Sequence, residues 1–181
     1  MASVPVLDIL ETDHRNLRRL LELAETETEK IAGSEAADLA LLTDIVDYAA
    51  GYPTLVHRPR EEMVFELLRQ HGTSAGPVLE LVREHAALAR AAERAKATVD
   101  DLGQEVNLPR ERIVGDLRNL IAAYRGHMSM EEKLFDLARQ RFSAADWARV
   151  AGIAGGKDPL FEGRPEARYR RLAQSLGQTR A

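Results

Sequence analysis

Two glutamates and four of the five histidines in this chain are spaced so that they can meet inside a helical bundle. His57 is followed four residues later by Glu61, and His127 and Glu131 repeat that spacing. On an α-helix this spacing places both side chains on one face, one turn apart, so each pair can reach one buried point. The arrangement predicts a metal site in a bundle core. The six candidate metal ligands are His14, His57, Glu61, His85, His127 and Glu131.

The apolar pattern around these residues predicts that all six face the core. His127 and Glu131 occupy consecutive positions of an apolar stripe that advances in steps of three and four residues. The neighbouring carboxylates Glu62 and Glu132 fall outside the stripes of their helices, so we expect their removal to cost little metal. Counted from the helix ends, the six residues also lie at similar depths in an antiparallel bundle, which predicts a single layer.

Composition restricts the class of protein. Hydrophobic residues make up 45% of the 181 residues and aromatic residues only 5%, which favours one helical domain with a sizeable core. The formal charge of −4 argues against a nucleic-acid or membrane-surface partner. Cysteine is absent, which excludes disulfides and thiolate metal ligands. No apolar run approaches ~18 residues and the N-terminus does not follow the pattern of a secretory signal, so we expect a cytoplasmic protein.

Helix start and stop signals divide the chain into five or six helical segments. The segments cover approximately residues 5–31, 34–70 with an interruption at 51–53, 77–102, 109–141, a short fifth opened by a capping box at 143–146, and 164–176. Pro59 should bend the second segment. We predict an all-α fold, an up-down-up-down four-helix bundle with a short fifth helix and a C-terminal helical tail. Residues 1–142 should form the bundle, and residues 143–181 a helical extension packed on it.

The donor types discriminate between metals. A catalytic zinc helix would carry two histidines four residues apart, whereas each four-residue pair here combines one histidine with one glutamate. This combination suits two hard, redox-capable ions bridged by carboxylates, iron first and manganese second, with zinc as the main competitor. His71, the fifth histidine, lies at a predicted helix end, where an imidazolium suits the helix dipole, so we interpret it as a structural cap.

Four local motifs occur together in this chain. They are Glu11-Thr-Asp-His14, Tyr52-Pro-Thr-Leu-Val-His57-Arg-Pro-Arg-Glu61-Glu, Arg83-Glu-His85 and His127-Met-Ser-Met-Glu131-Glu-Lys-Leu-Phe135. Together they resemble the hemerythrin-like cation-binding family, also called the HHE domain, over about residues 5–141. The resemblance implies a four-helix bundle that holds two iron ions bridged by an oxo or hydroxo group.

The resemblance also implies a role for each candidate ligand. His14 and His57 would bind one iron, and His85 and His127 would bind the other. Both irons would share two bridging carboxylates, those of Glu61 and Glu131.

The chain departs from the oxygen-carrying hemerythrins at one ligand position. Those proteins have a fifth histidine one turn after the residue that matches His85, and here that position is Ala89. The departure implies about one open coordination position on each octahedral iron, unless water or a tyrosine fills it. Tyr52 and Tyr124 are the candidates, either as a ligand or as a residue that supports the ligands. The four-residue spacing of Glu131 after its histidine is more similar to the iron-sensing and iron-centre-repair branches.

The resemblance implies a non-haem di-iron protein that binds or reacts with a small diatomic ligand or peroxide, namely dioxygen, nitric oxide or hydrogen peroxide, in sensing, storage or detoxification. Two alternatives stay open. One is a metal-dependent enzyme with catalase-like or nitric-oxide-reducing activity, and the other is a metal-free helical interaction module. The sequence predicts neither a nucleic-acid nor a membrane partner and leaves the oligomeric state open.

Overall fold

The computed structural model of the protein describes residues 5–52, 57–73, 75–153 and 158–178. Within these ranges the chain is helical and contains no strand, as predicted. The helices are α1 (Pro5–Ala32), α2 (Leu39–Tyr52), α3 (Arg58–Gln70), α4 (Ala75–Gly103), α5 (Arg110–Arg141), α6 (Ala144–Ala151) and α7 (Arg170–Gln178), with a 3₁₀ turn at Ala167–Tyr169 before the last.

The second predicted segment, 34–70, is two helices in the structure, and its predicted start is wrong. Ser34 has a φ of 63°, in the left-handed region, and so ends the turn after α1 instead of opening a helix. Asp38 caps α2 because its Oδ1 accepts a hydrogen bond from the Leu41 amide at 2.9 Å. Pro59, where the sequence predicts a bend, lies in the first turn of α3, where a missing amide donor is tolerated.

Four helical legs form the bundle: α1, the consecutive pair α2 and α3, α4, and α5. Helix α5 packs along both α4 and α1, and α2 packs along α4. The short α3 contacts α5 and α6. The up-down-up-down bundle is therefore confirmed, with α6 as the short fifth helix and α7 as the helical tail.

The buried apolar side chains form two clusters, one on each side of the candidate ligands. On α1, Leu10 belongs to the cluster near the start of the helix and Leu17 to the cluster further along it, and His14 lies between them. Helix α4 repeats this order with Leu81, His85 and Leu88. The candidate ligands thus form a polar layer across an otherwise apolar bundle.

Residues after position 142 contribute to the same two apolar clusters. Val150 of α6 joins the cluster near the start of α1, and Leu172 of α7 joins the other. Arg19 donates a hydrogen bond to the Leu176 carbonyl oxygen at 3.0 Å. The division into residues 1–142 and 143–181 stays a prediction. Across the described ranges, no helix combines the length and the apolar character needed to cross a membrane.

Candidate metal centre

All six candidate ligands meet in the polar layer between the two apolar clusters. Each residue is only 0% to 8% exposed, although imidazoles and carboxylates are costly to bury alone. Four separate stretches of chain supply them: α1 carries His14, the start of α3 carries His57 and Glu61, α4 carries His85, and α5 carries His127 and Glu131.

One half of the layer centres on the Nε2 atom of His14. This atom lies 3.1 Å from His57 Nε2 and 3.2 Å from Glu131 Oε2. It also lies 3.6 Å from Glu61 Oε1. His57 Nε2 contacts the same Glu61 oxygen, as the spacing of four residues predicts. Two imidazole nitrogens and two carboxylates therefore face one point.

The other half centres on Glu131 Oε1. His127 Nε2 lies 2.9 Å from this oxygen, and His85 Nε2 lies 3.6 Å from it. The rings of His85 and His127 pack edge to face with their centroids 4.6 Å apart. A second pair of imidazoles thus faces the opposite oxygen of the same carboxylate.

The six residues form two overlapping groups that share both glutamates. Within each group the candidate ligand atoms lie within 4.8 Å of one another. Because a carboxylate has two oxygens, each shared glutamate can contact two cations at once. The first group is His14, His57, Glu61 and Glu131, and the second is Glu61, His85, His127 and Glu131.

Three buried atoms that face the layer lie close to other ligand atoms but make no hydrogen bond of acceptable geometry with the described residues: Glu61 Oε1, His85 Nε2 and Glu131 Oε1. Leaving a buried polar group unpaired costs ~1–3 kcal/mol. Cations bound between these atoms would satisfy all three, and a mixed carboxylate and imidazole set suits transition metals. The residues present therefore fit a metal centre.

Carboxylates raise the pKa values of two imidazoles in the layer. Burial alone lowers the pKa of His14, but the close carboxylates of Glu131 and Glu61 outweigh it and raise the pKa to about 9. Burial also opposes protonation of His57, yet its carboxylate neighbours raise its pKa to about 10. The imidazoles in turn hold the pKa of Glu131 well below its usual range, although burial acts in the opposite direction. A binding cation must therefore displace protons from histidine nitrogens.

Asp13 is a site residue that the sequence analysis missed. It is 7% exposed, and its Oδ2 lies 2.9 Å from His57 Nδ1. Once a binding cation has displaced the second proton of the ring, Nδ1–H still donates to this carboxylate, and Nε2 has its lone pair facing the centre. The available signal was its position next to His14, but helical periodicity places it on a different face of α1.

Glu132 lies outside the core stripe, as predicted, but it is not independent of the centre. Its side chain is 37% exposed, and its Oε1 lies 3.3 Å from His14 Nδ1. Arg18 donates a hydrogen bond to the same oxygen. We therefore revise the expectation that its removal costs little, because it orients His14. Glu62 is 61% exposed and pairs with Arg58 at 3.2 Å, so the expectation for Glu62 stands as a prediction.

Both candidate tyrosines, Tyr52 and Tyr124, are buried. The hydroxyl of Tyr124 donates a hydrogen bond to the Ala49 carbonyl oxygen. Burial raises the pKa of Tyr52, and the nearby Asp13 and Asp158 raise it further, so its phenol stays neutral. Tyr52 thus lies close to Asp13, the carboxylate that contacts His57.

A cavity of about 330 Å³ adjoins the polar layer and is lined by all six candidate ligands and by Tyr124. Ala89, one turn after His85, lines the same cavity and is exposed to solvent. The position at which oxygen carriers place a fifth histidine therefore leaves a solvent approach to the layer.

His71 lies apart from the centre. It caps the C-terminal end of α3, and its Nε2 lies 3.1 Å from Asp146 Oδ2. This position agrees with the structural role that the sequence indicates.

Comparison with known proteins places the chain in a family. The hemerythrin HHE cation-binding domain matches residues 6–138, a range that contains all six clustered histidines and glutamates. Searches of curated proteins and of solved structures found no match. Because the matched range covers well over half of the chain, the protein belongs to the hemerythrin HHE cation-binding domain family.

Proposed function

We propose that this protein is a non-haem di-iron protein that binds or reacts with dioxygen, nitric oxide or hydrogen peroxide in the cytoplasm, in sensing, storage or detoxification. The observation that carries the proposal is that the two groups of candidate ligands share both glutamates. One metal ion needs no such overlap, whereas two ions bridged by carboxylates require it.

In this proposal the six ligands are divided between two ions. His14 and His57 bind one ion, and His85 and His127 bind the other. The two carboxylates, Glu61 and Glu131, contact both ions. Two irons held in this way would supply one-electron redox chemistry and open positions for a small ligand.

The surrounding residues orient the ligands and exclude water. Asp13 and Glu132 accept from the Nδ1 atoms of His57 and His14, which directs both Nε2 atoms inward. The apolar clusters on either side of the layer lower the local dielectric and so strengthen attraction between carboxylates and cations. Access for a small ligand is through the cavity beside Ala89.

A second candidate is a metal-dependent enzyme with catalase-like or nitric-oxide-reducing activity. The open approach beside Ala89 favours it, since turnover needs a position that a substrate can enter and leave. A metal-free interaction module has less support, because three buried atoms would then stay without a hydrogen bond of acceptable geometry.

Metal analysis combined with absorption spectroscopy tests the proposal. We expect about two irons per chain, with charge-transfer bands that change on addition of hydrogen peroxide or nitric oxide. Manganese in place of iron would keep the two-metal site and change the redox chemistry. One zinc per chain without near-ultraviolet bands would contradict the proposal.

A further inference from the structure

Two tyrosines stack on each other next to the metal centre. Tyr48 and Tyr52 lie one turn apart on α2, and both are buried. Their ring centroids are 4.9 Å apart, and the ring planes differ by 15°. Asp13 lies close enough to Tyr52 to raise the pKa of its phenol, and the same carboxylate lies 2.9 Å from Nδ1 of His57. One carboxylate thus separates this tyrosine pair from a proposed metal ligand.

A buried carboxylate accompanies the tyrosine pair. Asp158 is 2% exposed, and its Oδ2 accepts a hydrogen bond from the Tyr48 hydroxyl at 3.0 Å. Its Oδ1 accepts hydrogen bonds from the amides of Leu160 at 2.8 Å and Phe161 at 3.0 Å. The two amides fix the carboxylate, so one oxygen is held against the phenol of Tyr48.

This contact gives the phenol proton of Tyr48 a place to go if the ring loses an electron. Burial raises the pKa of Tyr48 and the charge of Asp158 raises it further, so the proton does not leave alone. An electron lost alone would leave a buried positive charge, which is costly. When the electron and the proton leave together, Asp158 becomes a neutral carboxylic acid and Tyr48 a neutral radical.

The other buried tyrosine near the ligands has a different partner. Tyr124 lines the cavity together with all six candidate ligands. Its hydroxyl donates to the backbone carbonyl oxygen of Ala49, which accepts a hydrogen bond but is too weak a base to take up the proton. The hydrogen-bond partner therefore distinguishes Tyr48 from Tyr124 as the tyrosine that can be oxidised.

We propose that Tyr48 supplies one electron, through Tyr52, to the iron-loaded centre when hydrogen peroxide reacts there, and that Asp158 takes the phenol proton. Hydrogen peroxide accepts two electrons and two protons as its O–O bond breaks and two waters form. One electron comes from the iron pair and the other from Tyr48, and both protons come from solvent. The O–H bond of Tyr48 breaks, and its proton passes to Asp158. This inference rests on the proposed function, since it names an electron donor for the same centre.

Electron paramagnetic resonance on the purified, iron-loaded chain tests the inference. Samples frozen at intervals after addition of hydrogen peroxide should show a radical signal near the free-electron position, and ring-deuterated tyrosine should narrow this signal. Tyr48→Phe keeps the ring but has no O–H bond to break, so we expect it to remove the signal. Tyr124→Phe is the matched control, because Tyr124 is also buried and lies nearer the ligands, and it should leave the signal unchanged.

Two further variants test the proton acceptor and the connection to the centre. In Asp158→Asn the amide oxygen can still accept from the Leu160 and Phe161 amides, but the side chain takes no proton, so we expect the signal to be lost. Tyr52→Phe leaves the contacts of Asp158 with Tyr48 intact and should delay the radical. Iron content and circular dichroism melting would show that each variant is loaded and folded.

Three results would overturn the inference. They are no radical in the native chain, a full signal in Tyr48→Phe or in Asp158→Asn, and a loss in Tyr124→Phe as large as that in Tyr48→Phe. The proposed function would survive all three, because it depends on the iron content and on charge-transfer bands that respond to hydrogen peroxide or nitric oxide.

Discussion

Replacing Asp13 with asparagine should weaken metal binding about 10- to 100-fold while the chain stays folded. Asp13 contacts no metal in the proposed centre; it holds Nδ1 of His57 at 2.9 Å and thereby directs Nε2 inward. Asparagine has nearly the same size, so the substitution leaves no cavity and removes only the negative charge. The expected loss therefore measures how much Asp13, a carboxylate that binds no metal itself, strengthens the metal binding of the histidine it orients.

The magnitude follows from burial. Asp13 is 7% exposed, so solvent screens its charge weakly, and the expected loss corresponds to about 1.4–2.8 kcal/mol of binding free energy. Glu132 makes the matching contact with His14 at 3.3 Å, but its side chain is 37% exposed and its charge is shared with Arg18. For Glu132→Gln we expect less than about a tenfold loss, because solvent and the arginine screen this carboxylate.

Competition with a chelator under anaerobic conditions would measure both affinities for ferrous iron. Circular dichroism melting would confirm that each variant is folded. Native affinity in Asp13→Asn, or a loss in Glu132→Gln as large as that in Asp13→Asn, would refute the reasoning from burial.

Four further outcomes follow from the geometry of the centre. Glu61→Gln should lower the iron content measured by elemental analysis by at least one ion, whereas Glu62→Gln should leave it unchanged, and equal losses would contradict the shared-carboxylate arrangement. The pKa values of His14, about 9, and of His57, about 10, lie above the ordinary 6.5. Protonation of these two imidazoles therefore stabilises the metal-free chain fully below pH 6.5, and this stabilisation is lost as the pH rises through 9 to 10. Iron uptake at pH 7 should accordingly release about two protons, detectable with a pH indicator, and affinity should rise with pH up to about 10. Chelation should lower the melting temperature by about 10 °C if the metal is present at about a thousand times its Kd, and an unchanged melting curve would favour the metal-free module. Ala89→His should place an imidazole in the approach and slow the spectral response to hydrogen peroxide, while unaltered reactivity at full metal loading would show that ligands enter elsewhere.

Much of the fold and the whole set of candidate ligands follow from local sequence. Apolar residues in steps of three and four mark the inward face of each helix, and His14 and Glu131 are recognisable because they interrupt such stripes. The spacing of four between His57 and Glu61 also needs no tertiary information, because one helical turn sets it. These inferences hold because helical periodicity is a property of neighbouring residues alone.

The partners of the ligands were decided by tertiary structure. Asp13 reaches His57 across 44 residues, and Glu132 reaches His14 across 118 residues. Neither contact can be read from a helical stripe, because it depends on how far each helix is rotated about its own axis when the bundle packs. The same holds for the cavity beside Ala89, because residues of several helices line it. Local sequence therefore determines which side chains face inward, and the packing of whole helices determines which of them touch and where a ligand can enter.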